Sequence, residues 1–386
     1  MKVLIISTAE QAGGGAIAAR RLLDALNANG VQAKMLVRDK QTDSVTVSAR
    51  GNVLPKILER LELMLKLRLP FRRTWGYDTA SHGISILDSP EYKEARVIHL
   101  HWINQGMLSL QELREMMFSG KRIVWTLHDE WPFRGIIHYS NGKESIESTE
   151  RFRRLDKAVL KEKRDIYSQG QIHFVGCSQW ITDLAKQTMP DQKIEHINNC
   201  IPHDIFHPMD KVEVRKELNL PLDKKIILFC SQNMADERKG MKYLDEAISE
   251  IQNSKFKIQN CHSSAIEVVR LGKGGRYVSD PKTMAKMYAA ADCFVTPSLQ
   301  DNLPNTIAEA MSCGIPCVGF NVGGIPEMIH HLQDGYVAQY KDSIDLADGI
   351  RYVLSHPELG EAAAKTAVHD YSETRVAQEY IKVFEA

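Results

Sequence analysis

The sequence predicts an α/β protein built from two doubly wound parallel-sheet domains, and three observations support this fold class. Short continuous apolar runs, such as VLII at 3–6, alternate with segments of helical periodicity, which is the pattern of parallel strands buried on both faces. This pattern stops in a polar, turn-rich stretch at 198–208 and then starts again. The 386 residues are also enough for two domains, each with its own core.

The first predicted domain covers residues 1–205 and begins with a strand, a helix and a second strand. The helix AIAARRLLDALNA at 16–28 has strong helical periodicity and ends at the turn-forming pair Asn29-Gly30. Further strands are predicted at the runs VQAKMLVR (31–38), VIHL (97–100), RIVWTL (122–127) and IHFVGC (172–177). Helical segments between these runs complete the repeated βαβ pattern of a parallel sheet.

The second predicted domain covers residues 206–371 and repeats the same pattern. It opens after Pro208 with the strand KIILFC at 225–230. Later strands are predicted at the apolar runs RYV (276–278), CFVTP (293–297), PCVGF (316–320) and GYVAQY (335–340). The tail from residue 343 onwards is predicted to be almost wholly helical.

Charge and cysteine content narrow the class of protein. The 49 basic and 49 acidic residues give a formal net charge of zero, so no global basic field points to nucleic acid. The apolar run at 3–6 is too short for a signal peptide, and no run approaches the roughly 18 residues of a membrane span. Seven cysteines without pairwise spacing favour a reduced, cytosolic protein, and the closest two are poorly placed for a zinc knuckle. They are Cys177, Cys200, Cys230, Cys261, Cys293, Cys313 and Cys317.

One segment, residues 56–73, breaks the alternation of strands and helices. Its sequence, KILERLELMLKLRLPFRR, places Leu58, Leu61 and Leu65 at helical spacing and holds six basic residues against two acidic ones. Such a helix either packs on its own domain with a solvated basic face or lies on an anionic membrane surface. The first interpretation is favoured, and peripheral membrane contact through 56–73 is the alternative.

Three adjacent glycines, Gly13, Gly14 and Gly15, stand between the first strand and the first helix. Glycine lets backbone amides approach an anion or a sugar closely, which suits the wall of a binding cleft. With Ala18 and Asp39 the glycines also match the dinucleotide fingerprint G-x-G-x-x-A. That fingerprint follows its strand immediately, whereas six residues separate VLII from the first glycine here. The spacing argues against nicotinamide binding, and a merely flexible turn is the other alternative.

Histidines lie near the ends of two predicted strands of the first domain. His128 follows RIVWTL directly, and ligands of open α/β sheets bind outside the carboxyl ends of the strands. We therefore expect His128 to donate a hydrogen bond to a sugar hydroxyl or a backbone group, with a structural bond to Asp129 or to loop carbonyls as the alternative. His99 and His101 share one face of the preceding strand, either in the core or at the same site.

A charged turn, SQNMADERKG at 231–240, follows the strand KIILFC and precedes a helix. It places Arg238 and Lys239 at the carboxyl end of a strand, where a guanidinium can fork onto a phosphate and an ammonium can act as a point charge. Gly240 lets the backbone approach closely. The turn predicts a diphosphate site, and a solvated charged loop is the alternative.

The stretch QDNLPNTIAEAMSCG at 300–314 joins a loop to a helix that is predicted to start at Pro304 and stop at Gly314. The first amides of that helix lack intrahelical partners and suit a phosphate. Glu309 lies about 1.5 turns inside the helix, where a carboxylate would repel phosphate but could accept from two ribose hydroxyls. Asp301, on the loop, is placed to accept from hydroxyls of another sugar.

These residues resemble glycosyltransferase family 4, whose members are retaining GT-B enzymes with two Rossmann-like domains facing across a cleft. The resemblance is carried by PSLQDNLPNTIAEAMSCGIPCVGFNVGGIPE at 297–327, by RKG at 238–240 and by GGGA at 13–16. It implies that 1–205 is the acceptor-side domain and that 206–371 binds a nucleotide-sugar donor. It also implies that a final helix at 372–386 packs back on the first domain.

The resemblance also assigns roles to single residues. Glu309 takes the place of a glutamate that binds ribose, and Asp301, one methylene shorter, that of a glutamate on the donor sugar. The position of the family's diphosphate-binding arginine holds Ala235, so Arg238 is suggested as its substitute. The expected catalytic residues are His128, Asp301 and Lys239. The expected donor-binding residues are Gly14, Gly15, Arg238, Lys239, Asn302, Leu303, Pro304, Asn305 and Glu309.

The function implied by the resemblance is metal-independent hexosyl transfer, with retention, from a nucleoside-diphosphate sugar to an acceptor hydroxyl. The expected setting is bacterial polysaccharide or glycoconjugate synthesis in the cytoplasm or at the inner membrane face. The acceptor would be a saccharide or a lipid-linked saccharide, and no cofactor or metal is expected. Three alternatives stay open: an epimerase-like enzyme that modifies the nucleotide sugar, an NAD-dependent oxidoreductase, and a non-catalytic sugar- or nucleotide-binding protein.

Overall fold

The computed structural model describes residues 1–140, 145–253 and 266–386, which form two α/β units. The first unit contains residues 1–199 together with 374–386, and the second contains residues 200–373. The division falls slightly before the predicted boundary at 205/206. The reason is that Ile201 already pairs with the second unit, where its amide donates to the Tyr371 carbonyl at 2.9 Å.

A parallel sheet forms the centre of the first unit. Its described strands are β1 (Lys2–Ala9), β2 (Gln32–Asp39), β3 (Val47–Ala49), β4 (Val97–Leu100), β5 (Arg122–Leu127), β6 (Ile172–Gly176) and β7 (Lys193–His196). They lie in the order β3-β2-β1-β4-β5-β6-β7. The order reverses between β1 and β4, which is the switch point where doubly wound sheets bind ligands.

Helices cover this sheet at α1 (Gly14–Ala28), α2 (Leu54–Leu67), α3 (Pro90–Glu94), α4 (Leu110–Met117), α5 (Glu150–Tyr167) and α6 (Gln179–Thr188). Local sequence explains several of their starts. Ser109 and Glu112 form a reciprocal capping box at α4, and the Thr149 hydroxyl accepts from an amide in the first turn of α5.

The second unit has its own parallel sheet, described at β8 (Lys225–Asn233), β9 (Ile266–Lys273), β10 (Cys293–Thr296), β11 (Cys317–Phe320) and β12 (Gly335–Ala338). The strand order is β12-β11-β10-β8-β9. Its helices are α7 (Lys211–Glu217), α8 (Met241–Asn253), α9 (Pro281–Ala290), α10 (Asn305–Ser312), α11 (Ile325–Met328), α12 (Ser343–Ser355) and α13 (Leu359–Asp370). The predicted fold class of two doubly wound parallel-sheet domains is confirmed.

The last helix, α14 (Glu373–Glu385), packs on the sheet of the first unit. The Tyr380 hydroxyl lies 2.8 Å from Thr126 Oγ1 on β5. The rings of Tyr380 and Phe384 lie 5.0 and 5.4 Å from the ring of His99 on β4. Residues separated by the whole second unit therefore share one core.

The first strand is longer than its apolar run predicts. β1 continues through Ser7 and Thr8 to Ala9, because these residues keep their pairing with β2. The Thr8 amide and hydroxyl also bond to carbonyls that follow β4, at 2.8 Å in each case. The loop before Gly13 is therefore residues 10–12, and the prediction that all six residues 7–12 lie outside the strand is wrong.

The strand predicted at RYV (276–278) is also wrong. The strand that pairs with β8 at this edge of the sheet is β9, Ile266–Lys273, and Arg276 makes only an isolated bridge with Leu271. The turn at Gly274 and Gly275 ends the strand, and the Arg276 amide folds back to the Arg270 carbonyl at 2.9 Å. Charged residues within β9 interrupt its apolar pattern, as expected at a sheet edge with one solvated side.

The structure describes the state of most cysteines and the length and polarity of the helices. The described cysteines are free thiols, most of them buried, and Cys261 lies outside the described residues. Within the described ranges, no helix combines the length and the apolar character needed to cross a bilayer.

Candidate active site

The glycine turn after β1 and the histidine after β5 lie against each other in the first unit. Gly13 has a φ of +97°, a left-handed conformation that favours glycine, and α1 begins at Gly14. A Cβ on Gly15 would stand 3.1 Å from both Cγ and Cδ2 of His128. Glycine at this position leaves room for the imidazole, so two residues predicted separately share one site.

His128 is the outer member of a row of three histidines. His101 Nδ1 lies 2.8 Å from His128 Nε2, and the two rings stack with centroids 5.1 Å apart. His99 lies behind them, 4.4 Å from His101 between centroids, and its Nε2 is 2.8 Å from Thr126 Oγ1. His99 and His101 are both buried. They are core residues, and His101 is the partner of His128 that the sequence did not reveal.

Burial keeps this row of histidines uncharged near neutral pH. It lowers the pKa of His128 to about 4 and the pKa of His99 to about 3. Burial and the neighbouring histidines also hold the pKa of His101 well below its usual range. Between two neutral rings one nitrogen donates and the other accepts, so the tautomers of His101 and His128 are coupled.

We expect the free energy of unfolding of the first unit to decrease as the pH falls below 6.5, the ordinary pKa of histidine. A base whose pKa is lower in the folded state stabilises the fold above its unfolded pKa, and this stability is lost as the pH falls through the folded pKa. The window extends down to about 4 for His128 and about 3 for His99. Between its unfolded and folded pKa values, each histidine lowers the free energy of unfolding by about 1.4 kcal/mol for each pH unit of acidification.

Urea unfolding followed by tryptophan fluorescence can measure this slope for the first unit alone. All five tryptophans lie in that unit: Trp75, Trp102, Trp125, Trp131 and Trp180. Carboxylates also titrate in this range, so the informative quantity is the difference between the wild type and His128→Gln. An identical slope for the two proteins would contradict the prediction.

In the second unit, Lys239 and Asp301 form an ion pair at the ends of two neighbouring strands. Lys239 closes the turn after β8 and Asp301 lies in the loop after β10. Lys239 Nζ donates to Asp301 Oδ2 at 2.6 Å, and the Ser298 hydroxyl donates to the same oxygen at 3.2 Å. The side chains are 30% and 16% exposed, so solvent and small ligands can reach the pair.

Two glycines hold the loop that carries Asp301. Gly240 has a φ of +68°, and a Cβ there would stand 1.8 Å from the carbonyl oxygen of Pro297. Gly323 has a φ of +60°, and a Cβ there would stand 1.8 Å from the carbonyl oxygen of Asp301. A side chain at either position would displace the loop, so the glycines of RKG and GGIPE position the ion pair.

Glu309 occupies a separate, buried position on α10. The Tyr288 hydroxyl, from α9, donates to Glu309 Oε2 at 2.8 Å. Burial and the neighbouring Glu309 carboxylate raise the pKa of Tyr288 well above its usual range, which keeps the hydroxyl protonated as a donor. Tyr288 was not among the predicted site residues, since a tyrosine in the alanine-rich helix α9 gives no signal beyond core packing.

The start of α10 differs by one residue from the prediction. Pro304 is the N-cap rather than the first helical residue, and the helix begins at Asn305. Pro304 has no polar side chain that could cap this end. Asn302, Leu303 and Pro304 are buried and Asn305 is partly buried, so this loop is packed rather than solvated.

Arg238 binds a carboxylate within its own turn. Its guanidinium forks onto Asp236, with Nε at 3.1 Å from Oδ1 and Nη2 at 2.8 Å from Oδ2. Its backbone carbonyl accepts from the Leu299 amide at 2.7 Å and ties the two loops together. A diphosphate role for Arg238 stays a prediction and requires the fork to Asp236 to open.

A buried ionic cluster in the first unit was also missed. The His138 ring bridges Asp129 and Asp78, at 2.7 Å from each ring nitrogen to a carboxylate oxygen. Burial alone would lower the pKa of His138, but the two carboxylates raise it to about 10. Arg60 on α2 also bonds to Asp78. These residues lie far apart in sequence, so no local pattern predicts the cluster.

The segment that carries Lys239, Asp301 and Glu309 is similar in sequence to a known protein family. Residues 224–356 match the family model described as Glycosyl transferases group 1. A structure from Anabaena in complex with UDP-glucose superposes with a TM-score of 0.65 at 14% identity, over 100% of this chain and 99% of that one. The fold is that of the GT-B glycosyltransferases.

Curated proteins of similar sequence include a glycosyltransferase. An uncharacterized glycosyltransferase of Methanocaldococcus jannaschii is 29% identical over 360 residues, which are 81% of this chain and 88% of that protein. The N-acetyl-alpha-D-glucosaminyl L-malate synthase of Bacillus anthracis is 22% identical over 216 residues. That match spans 53% of this chain and 56% of the relative, so it covers only about half of each. The comparisons favour a glycosyltransferase over the epimerase-like and NAD-dependent alternatives.

Proposed function

We propose that this protein transfers a sugar from a nucleoside-diphosphate sugar to an acceptor hydroxyl. The observation that carries the proposal is the Lys239–Asp301 pair on a strand edge, with buried Glu309 in the adjoining helix, inside the matched segment. The ammonium of Lys239 can pair with the diphosphate of the donor. The separated carboxylates of Asp301 and Glu309 can each accept hydrogen bonds from a different set of donor hydroxyls. A similar fold described in complex with UDP-glucose supports a nucleotide sugar as the donor.

Each group in the second unit has a distinct proposed task. Lys239 binds the diphosphate, and on binding its ammonium exchanges the Asp301 carboxylate for phosphate oxygens. Glu309 accepts from the ribose hydroxyls, with its carboxylate oriented by the Tyr288 hydroxyl at 2.8 Å. Asp301 accepts from a hydroxyl of the donor sugar. These contacts place the bond to be broken beside the cation.

Catalysis rests on stabilising the charge that develops on the leaving diphosphate. Lys239 and the backbone amides at the start of α10 supply preorganised positive charge. The anomeric carbon–oxygen bond to the diphosphate breaks as the acceptor oxygen bonds to that carbon, and a phosphate oxygen takes the acceptor proton. Neutral His128 donates a hydrogen bond to a sugar hydroxyl. Retention and metal independence follow from the resemblance to family 4 and are part of the proposal.

The first unit is proposed to bind the acceptor, a saccharide or a lipid-linked saccharide. Polysaccharide or glycoconjugate synthesis in the bacterial cytoplasm is the corresponding setting. The name of the Bacillus anthracis relative describes a sugar joined to L-malate, which supports glycosyl transfer but not a saccharide acceptor. The base of the donor and the sugar transferred are left to experiment.

The test is a donor panel with the full chain. UDP-, GDP-, ADP- and dTDP-sugars are incubated with simple saccharide acceptors, and the released nucleoside diphosphate and glycosylated product are quantified. We expect one donor class to give product, and Glu309→Gln to reduce turnover while an exposed control, Glu361→Gln, does not. An altered free nucleotide sugar formed without acceptor would indicate an epimerase. NAD binding without nucleoside diphosphate binding would indicate an oxidoreductase.

A further inference from the structure

Helix α2 exposes an apolar face to solvent. Leu54, Ile57, Leu58, Leu61 and Leu65 are 55%, 43%, 39%, 40% and 73% exposed. At 3.6 residues per turn these five side chains fall within an arc of about 100°. A surface helix of a soluble domain normally presents polar side chains on that side.

The opposite face of α2 anchors the helix in the first unit. Glu59, Arg60, Leu63 and Leu67 are all buried. Glu59 Oε1 accepts from the amides of Thr79 and Ala80 at 2.8 and 2.7 Å. The sequence prediction that this helix packs on its own domain is correct, but its solvent face is apolar instead of basic. Because the buried face is fixed in this way, the five apolar residues of the opposite face point to solvent.

Exposed aromatic and basic residues follow the helix in the chain. Phe71 and Trp75 are each 39% exposed and pack edge to face, with centroids 6.1 Å apart. Lys56 Nζ lies 4.7 Å from the centre of the Trp75 ring. Three exposed arginines stand in the same stretch and make no ion pair with any residue that the structure describes: Arg68, Arg72 and Arg73.

We propose that this surface docks on an anionic lipid bilayer. The docking face consists of the five exposed α2 residues and the three exposed arginines that follow them, Arg68, Arg72 and Arg73. Apolar side chains enter the interface between headgroups and acyl chains, and the arginines pair with anionic headgroups. A second copy of the chain is a poorer occupant, because a symmetric contact would bring the same arginines together.

The experiment is flotation of the full chain with vesicles of phosphatidylcholine alone or with phosphatidylglycerol added. We expect binding to the anionic vesicles and little to the neutral ones. Leu61→Glu/Leu65→Glu should lower the partition coefficient by about tenfold or more, since buried apolar area is lost and negative charge is added. Arg72→Gln/Arg73→Gln should lower it about fivefold for each arginine. Because no donor is needed, the result is independent of the proposed transferase activity.

Matched controls make the outcome decisive. Ile344→Glu/Val368→Glu changes two apolar residues that are 63% and 55% exposed in the second unit, and it should leave vesicle binding unchanged. Arg153→Gln/Arg154→Gln, on exposed positions of α5, should have little effect. The proposal is overturned if both variants of the docking face bind as the wild type does. It is also overturned if light scattering shows a dimer that Leu61→Glu/Leu65→Glu dissociates while the wild type ignores vesicles.

Discussion

Replacing Lys239 with alanine should weaken the binding of nucleoside diphosphates about 10- to 100-fold. A charge-assisted hydrogen bond to phosphate contributes about 1.5–3 kcal/mol, and about 1.4 kcal/mol corresponds to a factor of ten. The structure adds a second reason. Lys239 is 2.6 Å from Asp301, so its removal leaves a carboxylate facing the incoming diphosphate without its cation. Isothermal titration with UDP, GDP and ADP measures the effect.

A lysine on the adjoining helix provides the matched control. Lys242 is exposed, and its Nζ lies 4.7 Å from the Tyr243 ring centre, away from any described carboxylate partner. Lys242→Ala removes the same charge three positions along the chain and should leave affinity nearly unchanged. Equal effects of the two substitutions would mean that Lys239 acts only through general charge, and the diphosphate assignment would be discarded.

Replacing Arg60 with methionine should lower the free energy of unfolding of the first unit by about 3–5 kcal/mol. Arg60 is fully buried and donates to the carbonyls of Thr74 and Tyr77 at 2.5 and 2.6 Å. It also bonds to the carboxylates of Glu59 and Asp78. Removing one partner of a buried ionic group leaves the other charges desolvated and unpaired.

The control for this substitution is Lys66→Met on the same helix. The Lys66–Glu62 pair is an exposed i, i+4 contact, with the lysine side chain 50% exposed, and its loss should cost about 0.2–1 kcal/mol. Urea unfolding monitored by tryptophan fluorescence compares the two variants on the unit that holds all the tryptophans. A loss for Arg60→Met no larger than for Lys66→Met would show that the buried cluster is energetically replaceable.

Strands that contain a continuous, mainly apolar run could be predicted from the sequence. β4 and β5 have the bounds that their apolar runs indicated, and β1 was located from four residues. The strands missed or misplaced are the short and edge strands β3, β7 and β9, where charged and polar residues interrupt the pattern. At a sheet edge one side of the strand meets water, so burial no longer constrains every residue.

In the candidate site, too, residues fixed by local sequence were predicted and residues fixed by packing were not. Lys239 and Asp301 were predicted because each follows a strand, and Glu309 because it lies in the helix after such a loop. Local sequence determines these positions. The partners that orient site residues were not found: His101 for His128, and Tyr288 for Glu309. Each partner comes from another element, and its contact depends on the packing of two elements that the sequence does not specify locally.

The packing of α14 on the first unit has a consequence for biosynthesis. The ribosome makes residues 1–199 first, but the Tyr380 and Phe384 contacts with β4 and β5 come from residues made after the entire second unit. Domains usually fold in the order of their synthesis. Here the second unit can close while the first still exposes the apolar side of its sheet around His99. We therefore expect nascent-chain chaperones to bind the first unit for longer than the second, although the first unit is synthesised earlier.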